Sequence, residues 1–257
     1  MSKMEIVTIA KQECLAPGVY SMWIRTEDIA RNARPGQFIS VYSKDGSRLL
    51  PRPISICEID GDYLRLVYRV VGKGTDEFKD YVEDDTLRVM GPLGNGYDVE
   101  AHEGVAVLFG GGIGVPPMLE LAKRLPGKKQ DKIVVLGYRD QNLFLKKEFD
   151  QVATVYIATD DGSVGIQGNV LDAFKEYGLS GDVFYACGPK PMLRGIKALS
   201  EQMQCPAYIS LEERMACGVG ACLACITKTT EVDEHSHVHN ARICKDGPVF
   251  LASGVEL

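Results

Sequence analysis

Four cysteines near the C-terminus, Cys217, Cys222, Cys225 and Cys244, stand in the stretches LEERMACGVGACLACITKTT and ARICKDG. Their spacing is C-x4-C-x2-C, followed by a fourth cysteine after a gap of 18 residues. Four thiolates that converge on one small volume can hold two irons and two sulfides, and this is the plant-type spacing for a [2Fe–2S] cluster. Three cysteines in nine residues can wrap such a group only if the backbone between them is permissive. Gly218 and Gly220, with Ala216, Ala221 and Ala224, supply small side chains and leave amides free to point at sulfur, which helps to set the potential. A structural zinc site is the competing reading, but zinc knuckles more often come as two C-x2-C pairs, and a single such pair occurs in this sequence. A Rieske-type site drawing on His235, His237 or His239 is also conceivable. Four cysteines already complete a ligand set, so the His-rich stretch 231–240 reads as an exposed hairpin tip with incidental metal affinity.

Three segments in the first third carry a second kind of chemistry. Arg52-Pro53-Ile54-Ser55 follows one strand-like run and opens another. A forked guanidinium suits a pyrophosphate, and the Ser55 hydroxyl can reach a ring or a ribityl group. Val67-Tyr68-Arg69 lies on a strand and offers the Tyr68 ring for stacking on a flat ligand. Gly72-Lys73-Gly74-Thr75 leads into a helix, where free amides and the helix dipole favour an anion. A surface arginine and a glycine turn capped by Thr75 explain each segment singly; gathered in one barrel, they point to a flavin.

Two further segments point to a nucleotide. Phe109-Gly110-Gly111-Gly112-Ile113-Gly114-Val115-Pro116-Pro117 follows a strand. Gly111, Gly112 and Gly114 permit close backbone approach to a ligand, and Pro116 or Pro117 can start a helix. Pro117 stands where the G-x-G-x-x-G fingerprint has its third glycine, so the loop departs from that pattern. Cys187-Gly188-Pro189 ends a later strand, with Met192 just beyond. Gly188 and Pro189 would let a flat nicotinamide approach a flavin edge, and Cys187 either neighbours that ring or packs in the core.

The elements that must position these residues fall into three blocks. Short alternating or apolar runs (EIVTIAK, VYSMWIR, QFISVYS, ISICEI, YLRLVYRVV, TLRVMG), separated by turn signals, predict a closed or nearly closed barrel over 1–100. From VAVLFGG to PKPMLRGIKALSEQM, strands and helices alternate, which predicts a doubly wound parallel sheet over 101–208. Residues 209–257 form the cluster segment. The fold class is thus β plus α/β: an N-terminal antiparallel β-barrel, a doubly wound parallel α/β domain and a small C-terminal [2Fe–2S] segment.

The chain has 257 residues, is 45% hydrophobic and 25% charged, and carries a net charge of −6, an ordinary globular composition. The acidic balance without a basic run argues against nucleic acid and against an anionic membrane surface. The N-terminal stretch MSKMEIVTIAKQECL has no apolar core of a signal peptide, and no run reaches membrane-spanning length, so a cytoplasmic protein is expected. The remaining cysteines, Cys14, Cys57, Cys187 and Cys205, are expected to be free and packed as small hydrophobes.

Taken together, these residues resemble the ferredoxin-NADP reductase superfamily, whose signature is R-x-x-S on a barrel, G-G-x-G-x-x-P after a strand, and C-G-P before a helix with methionine. The cluster segment narrows this to a resemblance to the electron-transfer subunits of class B dihydroorotate dehydrogenases. Gly91-Pro92-Leu93-Gly94-Asn95-Gly96, Leu211-Glu212-Glu213-Arg214-Met215-Ala216-Cys217-Gly218 and Cys244-Lys245-Asp246-Gly247-Pro248-Val249-Phe250 fit it, and the long His-rich gap before Cys244 departs from it. The resemblance implies FAD held by Arg52 to Ser55, Val67 to Arg69, and Gly74-Thr75. It implies NAD in the second domain and an FMN-containing dihydroorotate dehydrogenase catalytic subunit as partner, in a heterotetramer of two of each chain. It places the catalytic base for dihydroorotate on that partner; the histidines here are His102 and the three in the hairpin. Arg139 could serve a 2′-phosphate and Asp140 a ribose hydroxyl, so spacing leaves NAD and NADP both open. Two rival readings remain: a subunit passing electrons between NAD(P)H and ferredoxin or sulfur compounds, and a non-enzymatic flavin-holding redox sensor, in which the glycine loop and C-G-P turn would have no role.

Plant-type clusters lie near roughly −400 mV, a value that would slow flow from dihydroorotate towards NAD. Amides within Cys217–Cys225 and burial by the partner are expected to raise it. An EPR redox titration of the complex should give a midpoint above that value.

Overall fold

The computed structural model describes residues 2–101, 103–232 and 237–257. His102 and His235 therefore lie outside the described residues. Six strands, β1 (Lys3–Ala16), β2 (Val19–Arg25), β3 (Phe38–Val41), β4 (Arg52–Asp60), β5 (Tyr63–Arg69) and β6 (Thr86–Leu93), close into an antiparallel barrel in the order β1-β2-β5-β4-β3-β6. Two short helices, α1 (Ile29–Asn32) and α2 (Lys73–Phe78), sit between strands. The period-2 pleat sorts the side chains. Ile39, Val41, Ile56, Leu64, Leu66 and Tyr68 share the barrel core, while Phe38 and Val67 pack outward against the rest of the protein.

The pleat has a consequence for the site. Within Val67-Tyr68-Arg69 the tyrosine belongs to the barrel core, where its ring stacks on Tyr20 (6.0 Å between centroids) and meets Phe78 edge-on. One side of the ring is thus engaged within the barrel, while Tyr68 also borders the cleft described below.

The second unit comprises β7 (Ala106–Gly111), α3 (Val115–Arg124), β8 (Lys132–Tyr138), α4 (Lys146–Val152), β9 (Thr154–Thr159), β10 (Ile166–Gln167), α5 (Val170–Glu176), β11 (Val183–Cys187), α6 (Lys190–Met203) and β12 (Ala207–Ser210). These strands run parallel in the order β10-β9-β8-β7-β11-β12. Both faces are covered, which is why the strands read as continuous apolar runs. Ala106 and Leu108 pack with Met118, Leu119 and Phe149 of α3 and α4. Val107 and Phe109 pack with Phe174, Leu193 and Ile196 of α5 and α6.

The remaining chain adds β13 (Ile226–Lys228), β14 (Asn240–Arg242) and β15 (Val249–Leu251). β13 and β14 form a hairpin that leads to the His-rich stretch; its described histidines, His237 and His239, are exposed, as expected of a tip. β15 returns to pair antiparallel with β12, so the last strand of the chain closes the edge of the seven-stranded sheet. The sheet thus runs across residue 209, the expected start of the cluster segment.

Cys57 and Cys187 are buried and Cys205 is half-buried, but Cys14 is exposed. It lies where β1 slips register against β2, between Cys14 and Ala16, so it does not pack as a hydrophobe. Among the described residues, no helix is long and apolar enough to cross a membrane.

The barrel and the sheet meet where α3 lies on β4. Glu120 of α3, 1% exposed, accepts the Ile59 N–H of β4 at 3.0 Å and pairs with Arg124 at 2.6 Å. Beside it Arg65, 5% exposed, gathers Ser21, Glu58 and Glu148 across the same boundary. Replacing Glu120 by Ala leaves a buried N–H without an acceptor. This should cost about 1–3 kcal/mol of unfolding free energy, read as a lower urea midpoint with the slope unchanged.

Candidate functional site

The barrel carries an open cleft of about 1010 Å³. Arg52, Pro53, Ile54, Ser55, Val67, Tyr68, Arg69 and Thr75 border it, so the R-P-I-S, V-Y-R and G-T segments come together as expected. Ile113 of the glycine loop and the run 210–215 complete the wall, which makes the cleft a junction of all three blocks. Its size is at the upper end for ligand sites, as a dinucleotide cofactor requires. Arg69 buries its Nε with no hydrogen-bond partner among the described residues. A buried cationic donor without an acceptor is costly, and an anionic ligand in the cleft would relieve it. Arg52 donates through Nη1 to the Leu50 carbonyl. Gly74 is packed under that arginine, since a Cβ there would lie 2.3 Å from its Nε. Thr75 uses its hydroxyl locally, accepting from Val71 N–H at 3.0 Å and donating to the Gly72 carbonyl at 3.1 Å. A cleft of this size with an unpaired buried arginine donor fits an anionic cofactor such as FAD.

The glycine loop and the C-G-P turn meet at the C-terminal ends of two adjacent strands. β7 pairs with β11, with Gly110 opposite Cys187, and the chain winds to opposite sides from this point, where ligands of such sheets bind. Gly111 ends β7, and Gly112–Gly114 forms a 3-10 turn into α3. A Cβ on Gly114 would lie 2.3 Å from the Cys187 carbonyl oxygen, so only glycine allows the two turns to touch. Gly188 and Pro189 stand beside Gly111 and Met192, but of these loops only Ile113 reaches the cleft. Cys187 is 1% exposed; burial pushes its thiol well up, the Glu212 carboxylate adds to that, and Ser210 opposes it. Glu212 is reachable by water through the cleft yet hemmed in by protein, and this crowding raises its own carboxyl.

The four cysteines of the motif also come together, in two pairs. Cys217 neighbours Cys222, and Cys244 neighbours Cys225. Cys217 accepts N–H groups from Val219 at 3.4 Å and Ala221 at 3.3 Å. Cys244 accepts from Gly220 at 3.1 Å, and Cys225 accepts from the Cys244 N–H at 3.4 Å. Left-handed backbone at Gly218 (φ +70°) and Gly220 (φ +84°) turns these amides inward. Burial raises the Cys217 thiol, but the Val219 N–H, the Cys222 thiol and neighbouring amides outweigh it and bring it down to about 6. Burial and the Cys225 thiol push Cys244 up to about 12. Among the described residues no three Cys, His, Asp or Glu side chains close on a single metal ion. A two-iron cluster takes its ligands as one pair per iron, and two thiol pairs ringed by amide donors fit it.

Several cleft residues carried no signal of their own in the sequence. Leu49 and Leu50, 83% and 52% exposed, mark the loop before Arg52 as a ligand-facing edge. Glu212 and Met215 stood only in the stretch that carried the resemblance.

Residues 212–256 match the family model described as the iron-sulfur cluster binding domain of dihydroorotate dehydrogenase B. The electron transfer subunit of dihydroorotate dehydrogenase B (NAD(+)) from Fusobacterium nucleatum is 43% identical over 265 aligned residues, covering 99% of each chain. The chain belongs to this family. Another electron transfer subunit of the family, from Geobacillus thermodenitrificans, is 42% identical over 98% of each chain. Among solved structures, a chain from the NADH-dependent reduced ferredoxin-NADP oxidoreductase superposes with a TM-score of 0.87 at 28% identity, covering 98% of this chain and 90% of its own. A ferredoxin NADP+ reductase from Neisseria gonorrhoeae, with bound FAD and NADP, shares the fold at a TM-score of 0.64 and 14% identity, over 82% of this chain and 94% of its own.

The close contact of the glycine loop with the C-G-P turn offers a direct test of nucleotide approach. Gly114→Ala forces that loop away from the C-G-P turn. The expected result is a roughly tenfold higher KM for NADH, about 1.4 kcal/mol, with flavin content unchanged, measured with an artificial electron acceptor.

Proposed function

We propose that this chain passes electrons from the FMN of a dihydroorotate dehydrogenase catalytic subunit to NAD+, by way of a [2Fe–2S] cluster and FAD, in cytoplasmic pyrimidine biosynthesis. The working assembly is a heterotetramer of two chains of each kind. Residues 1–100 hold FAD, 101–208 hold NAD, and 209–257 hold the cluster on Cys217, Cys222, Cys225 and Cys244. The observation that carries this reading is the run 210–215: it lines the cleft and enters the cluster loop at Cys217 only two residues after Met215. Full-length similarity to the electron transfer subunits supports the same reading.

When bound, the cluster carries single electrons and FAD links them to hydride exchange with NAD. The chain's own work is placement. Arg52 and Arg69 would hold the anionic part of FAD, and Ser55 would offer its hydroxyl to the cofactor. Gly111, Gly112 and Gly114, with Gly188 and Pro189, would hold NAD at the meeting point of the two turns, where the glycines let the backbones pack closely. Cys187, buried and with its thiol held protonated, packs beneath those turns and takes no proton. Val219, Gly220 and Ala221 donate N–H groups to thiolate sulfur, which favours the more negative, reduced state.

The rival, a subunit serving ferredoxin or sulfur compounds, is favoured by the likeness to the ferredoxin-NADP oxidoreductase chain. The experiment is NAD reduction driven by dihydroorotate in the complex purified through this chain. Activity that requires both chains is expected. NADH oxidation with ferredoxin and no dihydroorotate activity would select the rival. Cys222→Ala, at an exposed ligand position, should lose dihydroorotate-driven NAD reduction and keep FAD and NADH oxidation by an artificial acceptor.

A further inference from the structure

We infer that Arg242 and Asp246 are a positioning pair, anchored to the barrel by Asn95, that holds the Gly220 region with its amides aimed at the cluster sulfurs. The inference rests on the [2Fe–2S] reading and goes beyond its ligand set.

Arg242 forks onto Asp246, Nε to Oδ2 and Nη2 to Oδ1, both at 3.0 Å. The Arg242 N–H also donates to Asp246 Oδ2 at 2.8 Å, and the Asp246 N–H returns to the Arg242 carbonyl at 2.7 Å. Residues 242–246 are thereby fixed as a tight turn with Cys244 at its centre. The remaining nitrogen, Nη1, donates to the Gly220 carbonyl at 3.3 Å. That carbonyl belongs to the same planar peptide as the Ala221 N–H, which points the opposite way, at Cys217. The N–H of Gly220 itself donates to Cys244 at 3.1 Å, the shortest of the four N–H contacts to sulfur. The guanidinium therefore orients the Ala221 amide directly and holds Gly220, whose own N–H lies on the preceding peptide and reaches the other thiol pair.

The turn is tied to the barrel from the other side. Asn95, just past β6, donates through Nδ2 to the carbonyls of Lys245 at 3.2 Å and Asp246 at 3.0 Å. Its N–H donates to the Gly247 carbonyl at 2.6 Å. Gln37, just before β3, in turn holds the Gly94 carbonyl at 2.7 Å. The Arg242–Asp246 pair is itself rather exposed, with side chains 38% and 36% accessible, so it contributes little to stability as an ion pair. Its consequence is geometric.

A role through charge alone predicts different signs from a positioning role. N–H donors stabilise the reduced cluster, so misaligned amides lower the midpoint potential. Arg242→Lys keeps the charge and loses the fork; Asp246→Asn removes a negative charge, which by charge alone would raise the potential. The test is an EPR redox titration of each variant in the complex with the catalytic subunit, with iron and FAD measured per chain. Both variants should shift downward, by up to about 59 mV, the one-electron equivalent of a tenfold loss of reduced-state stabilisation. Iron loss from Arg242→Lys with FAD retained would support the same role. Asn95→Ala, which leaves the pair intact, should shift the potential the same way by less, and serves if the other variants do not fold. An unchanged potential in the variants, or a rise in Asp246→Asn, overturns the inference. A wild-type complex that gives no signal of a reduced [2Fe–2S] cluster overturns the cluster reading instead.

Discussion

The pairing of β12 with β15 is the constraint on which the arrangement of sites depends. Ser210 opposite Val249, and the Leu211 N–H on the Pro248 carbonyl at 2.9 Å, pin both ends of the cluster segment to the sheet edge. The chain between them is an excursion too short to build a core of its own. It borrows one: Cys225, Ile243 and Cys244 join Phe38 and Leu93 of the barrel and Ile209 of the sheet in a single buried cluster. Because the excursion leaves the sheet at residue 211, its first residues must pass the mouth of the barrel cleft. The wall of one site and the entry to the next are therefore the same few residues, and their spacing is set by backbone hydrogen bonds rather than by flexible side chains.

The barrel uses its pleat to the same end. Inward residues on β3, β4 and β5 fill a closed apolar core, which leaves the outward set free for other tasks. Phe38 supports the cluster segment and Ser55 and Val67 border the cleft, while Cys57 packs towards the helices of the sheet. Ser40 faces the cluster loop, 3.0 Å from where a Gly218 Cβ would stand. One wall thus serves both the cleft and the cluster loop, and Ile54 and Tyr68 of the inward set also reach the cleft.

What could be read in the sequence follows from how local each signal was. The cysteine spacing and the glycine-rich strand-to-helix turn are contained in a few residues, and each element around them forms where its apolar period indicates. β12 and β15 are short, and β15 becomes a strand only because β12 offers an open edge; nothing in VFL alone specifies it. The orientation of Tyr68 depends on strand register, which a three-residue motif does not carry. Cys14 is exposed because of a register slip against β2, again a property of the pair. The place of Glu212 beside Cys187 and the cleft depends on strands far apart in the chain lying side by side.

The distribution of satisfied and unsatisfied groups separates frame from site. At the joint between barrel and sheet, Glu120 meets both a backbone N–H and an arginine, and Arg65 meets a hydroxyl and several carboxylates. Buried polar groups so completely paired make a rigid joint. In the cleft, Arg69 keeps a buried donor with no partner among the described residues. The joint is fully paired while the cleft keeps an unpaired cationic donor, as suits a rigid scaffold that holds a charged cofactor; the Tyr185 hydroxyl, away from the cleft, is the other buried group without a partner among the described residues. A rigid joint also fixes the glycine loop of one unit against the cleft of the other, which Ile113 of that loop lines.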